Sequence, residues 1–290
     1  MADLRSRRPE NAPGGFFVDA TCIDCDTCRW MAPGTFARVG RQSAVAHQPA
    51  SPAEERAALQ ALVSCPTASI GAPPGSAVAA VAGDFPLPVT PHVGHLGYHS
   101  EASFGGAAWL LRHPEGNVMV DAPRFAAPLA KRIEALGGLR LIVLTHRDDV
   151  ADHDKWARRF GAERVLHERD APVPGGPVER LLMGDDPVEL LPGLWAIPTP
   201  GHTRGHTCYL WEGDGGVLFT GDHLAYDDEA GRLEAWPDVC WFDWGAQTAS
   251  MRKLLAHDFE WVLPGHGRKG HLPGRMKDEL ARLVAWMERQ

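Results

Sequence analysis

The chain reads as an α/β protein with a small α+β module at its N-terminal end. Three observations predict this. Short apolar runs of strand length alternate with helical patterns after about residue 91. A stretch rich in Pro, Gly and Ala, GAPPGSAVAAVAGDFPLPVTP, separates that region from what precedes it. Four cysteines fall before this stretch, at positions 22, 25, 28 and 65. The expected division is a tail over 1–14, a cysteine module over 15–72, a linker over 73–90 and an α/β domain over 91–290.

The first fourteen residues are basic and proline-rich and carry no apolar core of the kind a secretory leader needs. The module then carries TCIDCDTC and, after a helix, SCPT. Ser51 and Pro52 before AEERAALQALV supply an N-cap, an N1 proline and an acidic first turn, so one helix is expected to lead to Cys65. Three thiolates two residues apart can wrap one corner of an inorganic cluster, and the fourth then comes from elsewhere in the fold. Pro66 keeps the helix from running on past Cys65. A zinc knuckle fits less well, since Cys65 has no close cysteine partner. This segment resembles a single-cluster bacterial ferredoxin, which implies Cys22, Cys25, Cys28 and Cys65 as ligands of a 4Fe-4S cluster, with Trp30 and Met31 packed beside it. Such cysteines point to a reducing, cytoplasmic compartment. Cys208 and Cys240 lack ligand spacing and read as packing residues.

In the larger domain AAWLLR, NVMVDA, LRLIVLTH, RVLH, LWAIP, CYLWE, GVLFTG and FEWVLPG read as strands. Residues 126–136, 152–160, 246–256 and 276–288 read as helices. No apolar run reaches membrane-spanning length. The 37 acidic side chains outnumber 29 basic ones, a net charge of −8, so neither a membrane nor nucleic acid is an expected partner. A small-molecule substrate is.

Four strand ends carry metal-ligand residue types: LIVLTHRDDVADH, IPTPGHTRGHT, VLFTGDHL and FEWVLPGHG. In their order these motifs resemble the metallo-β-lactamase superfamily, which implies an αββα sandwich with a dinuclear metal site on one edge. The resemblance implies His146, Asp148, His202 and Asp222 around one metal, and Asp152, His153, Asp222 and His266 around the other, Asp222 bridging. Asp148 stands where the family's middle histidine falls, and the Asp152–His153 pair arrives two residues late, which leaves Asp149 as a substitute for Asp148 if the loop bulges. Asp152 and His206 are the candidate catalytic residues, and His206 and His223 the candidates for orienting ligands. His92, His95 and His99 fit no metal template, while His47, His113, His167 and His257 read as capped or surface histidines. Trp236, Trp241 and Trp244 are expected in the core, with the lining of an aromatic substrate pocket as the alternative.

Two activities stay open. The carboxylate-rich ligand set suits iron, and a fused ferredoxin has no task in hydrolysis, so electron-fed iron chemistry on a small molecule is favoured. Flavodiiron proteins of the same superfamily resemble this chain in the acid at the middle position. Zinc-dependent hydrolysis of a thioester, ester or lactam is the alternative, since GHTRGHT and PGHG resemble glyoxalase-II-like thioesterases. No G-x-G-x-x-G opens a helix after a strand, so electrons would come from an external reductase.

Overall fold

The computed structural model describes residues 2–290. The module pairs β1 (Phe17–Val18) with β4 (Ile70–Gly71) and β2 (Phe36–Val39) with β3 (Gln42–Val45), around α1 (Thr27–Met31) and α2 (Pro52–Ser64). Ser51 caps α2 by accepting the Glu54 N–H at 3.2 Å. Its small core holds Phe16, Phe36, Val45 and Leu59 together with Cys28 and Cys65.

The expected tail is packed. Asn11 is buried and its side-chain amide bonds the backbones of Arg8, Val18 and Val45, tying 8–18 to β3. The expected linker is packed as well. It holds the short helix α3 (Val78–Val81) and the edge strand β5 (Leu87–Pro88), and its Val81 enters the module core while Phe85 is fully buried in the core of the larger domain. A low-charge Ala/Gly/Pro composition was compatible with a loose tether, but two apolar side chains at its centre each fill a different core.

The larger domain is a sandwich of two sheets. One runs β11-β10-β9-β8-β7-β6-β5, from Arg180–Leu182 (β11) through Glu163–His167 (β10), Leu141–Val143 (β9), Val118–Val120 (β8), Trp109–Leu111 (β7) and Val93–His95 (β6). The other runs β12-β13-β14-β15-β18-β19, comprising Val188–Leu191, Leu194–Pro198, Thr207–Trp211, Val217–Gly221, Trp261–Pro264 and Gly270–His271. A hairpin, β16 (Ala225–Asp227) and β17 (Arg232–Glu234), stands beside the second sheet. Each central strand is buried on both faces, which is why it reads as a continuous apolar run. On β7 to β9, Leu110, Met119 and Ile142 face α4 (Ala127–Ala135) and α5 (His153–Phe160), while Trp109, Val118, Val120, Leu141 and Val143 meet Tyr209, Val217, Phe219 and Leu263 between the sheets. Leu210, Leu218 and Val262 face α6 (Trp244–Leu254) and α7 (Met276–Met287) on the outer side. Helix, sheet, sheet and helix stack in that order. Among the described residues no helix is long and apolar enough to cross a membrane.

The module is seated on this sandwich. Arg124 donates to the carbonyls of Val63 (2.6 Å) and Cys65 (3.0 Å) in the module and of His99 (2.6 Å) in the domain. Arg268 reaches Asp26 at 3.4 Å, the Lys269 ammonium stands 5.1 Å over the Trp30 ring, and Val63 joins the domain core.

Candidate metal centre

Strands β9, β13, β15 and β18 end along one edge of the sandwich, and the loops leaving them deliver His146, His202, Asp222 and His266 to a common point. His146 Nε2 and His202 Nε2 lie 3.8 and 3.6 Å from Asp222 Oδ2, and His202 Nε2 lies 3.9 Å from Asp148 Oδ2. On the other side His266 Nδ1 is 2.9 Å from Asp222 Oδ1 and 3.8 Å from Asp149 Oδ2. Separations of 3.6 to 3.9 Å exceed hydrogen-bond length but suit atoms that share an ion. Ligand atoms of His146, Asp148 and His202 fall within 4.8 Å of one another, as do those of His146, Asp149 and Asp222.

The burial of these groups fits metal. His146 Nε2, His202 Nε2 and Asp149 Oδ2 are buried with no hydrogen-bond partner. Orphaned polar atoms at this density are costly unless a cation completes them. Without a cation, burial and the Asp222 carboxylate push Asp149 well above the usual carboxylate range, and burial holds His146 down to about 3 and so neutral, the ligand form of imidazole. Burial would raise Asp222 too, but His266, His146 and His202 outweigh it and keep it ionised. Burial works against a charged His266, yet Asp222 and Asp149 lift it to about 10.

Of the tandem acids, Asp148 stands beside His202 and Asp149 beside His266, and each falls in a different cluster of candidate ligand atoms that includes His146. Asp152 and His153 are not brought to the site. They sit where α5 starts, and the helix turns them away from the cleft: Asp152 accepts the Phe125 N–H (2.7 Å) and pairs with Lys155 (2.8 Å), and His153 Nε2 lies 2.7 Å from the Pro174 carbonyl. Asp149 stands at the cluster where that pair was expected, and Asp152 does not line the cleft. His206 does not line it either. It is fully buried, held through Nδ1 to Thr199 Oγ1 (3.0 Å) and stacked on His223 at 4.3 Å, behind His146. A relay that sequence reasoning missed runs from buried Asp121 to Thr145 Oγ1 (2.9 Å) to His146 Nδ1 (2.9 Å), fixing that imidazole. The Thr immediately before His146 and the Asp ending NVMVD were its visible traces.

In the module, Cys22, Cys25, Cys28 and Cys65 are unpaired and line one pocket with Val18, Ile23 and Ile70. The Ser43 N–H points at Cys22 Sγ (3.4 Å), the Ser69 N–H at Cys65 Sγ (3.3 Å), and Thr27 Oγ1 lies 3.4 Å from Cys25 Sγ. Burial raises the Cys25 thiol to about 11 and pushes the Cys28 thiol up as well, so these two sulfurs would become thiolates by binding metal. Convergent sulfurs with N–H donors around them fit a cluster.

The two sites share a wall. The loop after Ser103 is left-handed at Phe104 and at Gly105, whose φ is +89°. A Cβ on Gly105 would stand 2.7 Å from Cys25 Cβ, and one on the next residue, Gly106, would stand 2.5 Å from Asp149 Oδ2. Two adjacent glycines thus let the backbone touch a cluster cysteine and a metal-site carboxylate at once.

Comparison with known proteins agrees with this geometry. The family model of the metallo-beta-lactamase superfamily matches residues 103–266, more than half of the 290 residues. The chain belongs to the metallo-beta-lactamase superfamily. The model of the 4Fe-4S single cluster domain of ferredoxin I matches residues 18–72. Within the superfamily, the hydroxyacylglutathione hydrolase of Aeromonas salmonicida is 33% identical over 144 residues, covering 45% of this chain and 56% of that protein. That of Acidiphilium cryptum is 34% identical over 116 residues, covering 36% and 44%. The chain thus spans about half the length of these curated relatives. Among solved structures the BLEG-1 B3 metallo-beta-lactamase aligns with a TM-score of 0.51 at 20% identity over 64% of this chain and 97% of that one, a likeness of fold.

Proposed function

We propose that this protein is a dinuclear iron enzyme of the superfamily that takes electrons through its own ferredoxin module and uses them on a small molecule. The observation that carries this reading is the shared wall: Gly105 lies against Cys25 and Gly106 against Asp149, and Cys25 lines the same cleft as Asp148, Asp149, Asp222 and His266. When bound, a cluster supplies single electrons and a pair of irons supplies a redox-active Lewis-acid centre. The chain's own part is placement. Asp148 and Asp149 harden the donor set with carboxylate oxygen, which suits iron better than zinc. Thr145 orients His146, and the Phe104–Gly106 loop holds the two sites at contact distance across one strand of backbone. Electrons would come from an external reductase.

Hydrolysis by a metal-bound hydroxide is the second reading, favoured by the relatives named hydroxyacylglutathione hydrolase. Metal and acid-labile sulfide content per chain, on protein purified without oxygen from cells given iron and zinc, separates the two. About six irons with four sulfides supports the redox enzyme, and about four irons with two zincs supports hydrolysis.

A further inference from the structure

The cleft above the metal site has a volume of about 1250 Å³ and is built by both halves of the chain. Its basic side chains are Arg29, Arg38 and Arg268. All three are engaged by carboxylates: Arg29 with Asp24 and Asp26, Arg38 with Asp24 at 2.7 Å, and Arg268 with Asp26 and Asp228. Asp227, Glu229, Glu234 and Asp238 also line it, and among the described residues none of these four has a basic partner at ion-pair distance. Away from the metal ligands, the side chains of the walls therefore offer an incoming anion no uncommitted cation, and they offer a cation several carboxylates.

A second feature points the same way. Two large aromatic side chains stand exposed over the ligand histidines, one on each side of the site. The Phe104 ring is 6.2 Å from that of His266 and 56% exposed, and the Trp241 ring is 6.2 Å from that of His202 and 66% exposed. Trp241, expected in the core, is instead one jaw of the cleft. Rings left bare at a cleft mouth are ready to be covered by an apolar body, and their faces attract positive charge.

We propose that the cleft takes a cationic organic substrate, a small amine or quaternary ammonium on an apolar body, gripped between Trp241 and Phe104 with its charge facing Asp227, Glu229, Glu234 and Asp238. This assignment rests on the metal cleft and on neither reading of its chemistry. It sets the substrate apart from thioesters of glutathione and other carboxylate-bearing acyl compounds, which would enter as anions.

Two aryl probes of opposite charge, phenyltrimethylammonium and benzenesulfonate, the latter chosen because a sulfonate ligates metal ions weakly, test it by calorimetric titration of the full metal-loaded chain without reductant or turnover. The cation is expected to bind at least about ten-fold more tightly than the anion, and to weaken as salt is raised. W241A, and separately the double variant E229Q/D238N, should each weaken the cation by roughly ten-fold while leaving circular dichroism and visible absorbance unchanged. Trp241, Glu229 and Asp238 are all exposed, so the variants should fold. Benzenesulfonate binding equal to or tighter than the cation's, binding of neither probe, or cation binding indifferent to both variants would overturn the proposal. Failure of the redox reading shows in the metal count and leaves this titration untouched.

Discussion

At the scale of single residues, the tandem acids after His146 decide the site. Asp148 and Asp149 face opposite sides of Asp222, so D149N should remove one ion of the pair and leave the ion held by His146, Asp148 and His202. D152N, whose carboxylate is spent on the Phe125 N–H and Lys155, should keep both. Metal-to-protein ratios after dialysis against a weak chelator check this, and loss of an ion in D152N but not in D149N would refute the assignment. His146, His202, Asp222 and His266 were legible as ligands because each directly follows a buried apolar run. Asp152 and His153 misled because a ligand motif fixes residue types in order, whereas the direction of a side chain depends on where the next helix begins. Here α5 starts at His153 and sends both away.

Elements of secondary structure follow from local signals to a large extent. All eight strands read from apolar runs and all four helices of the larger domain are present, with ends displaced by at most three residues. Of the strands that went unread, β5, β11, β12 and β19 lie at sheet edges, whereas β6 lies inside the first sheet and is hidden by the glycine and histidine of its short VGH run. The Ser51 cap is a local signal whose effect can be measured: S51A should cost about 1 kcal/mol in the module's stability, read as a shift in the unfolding midpoint followed at the cysteine site. Between β10 and β11, Arg164 grips Glu179 and the Pro177 carbonyl. The Arg164 bond outweighs partial burial and holds the Glu179 carboxyl at about 2, below its ordinary 4.5. A depressed carboxylate stabilises the fold above the unfolded value, and that contribution fades as pH falls from about 4.5 toward about 2. E179Q should therefore flatten the acid limb of stability in that window and change little of its shape at neutral pH, as denaturation midpoints across pH would show.

For the whole molecule, the long-range contacts were the least legible part. A composition can suggest a linker, but nothing local says that Val81 fills one core and Phe85 another, or that Arg124 of the domain will reach the carbonyls of Val63 and Cys65. R124A removes two bonds from a charged donor across that junction, those to Val63 and Cys65, and should loosen the seating of the module by on the order of 3 kcal/mol, visible as faster amide exchange at residues 63–65 and 99. Unchanged exchange there would mean that Val63, the Arg268–Asp26 pair and the Trp30–Lys269 contact hold the module without it. The Gly105–Gly106 step has a consequence for swaps of domains between relatives. Only Gly105 faces the module: a Cβ there would stand 2.7 Å from Cys25 Cβ and push the two partners apart, whereas one on Gly106 would press on Asp149 inside the sandwich. A transplanted ferredoxin module would therefore keep this approach to the metal edge only on a sandwich that carries glycine at the first of these two positions.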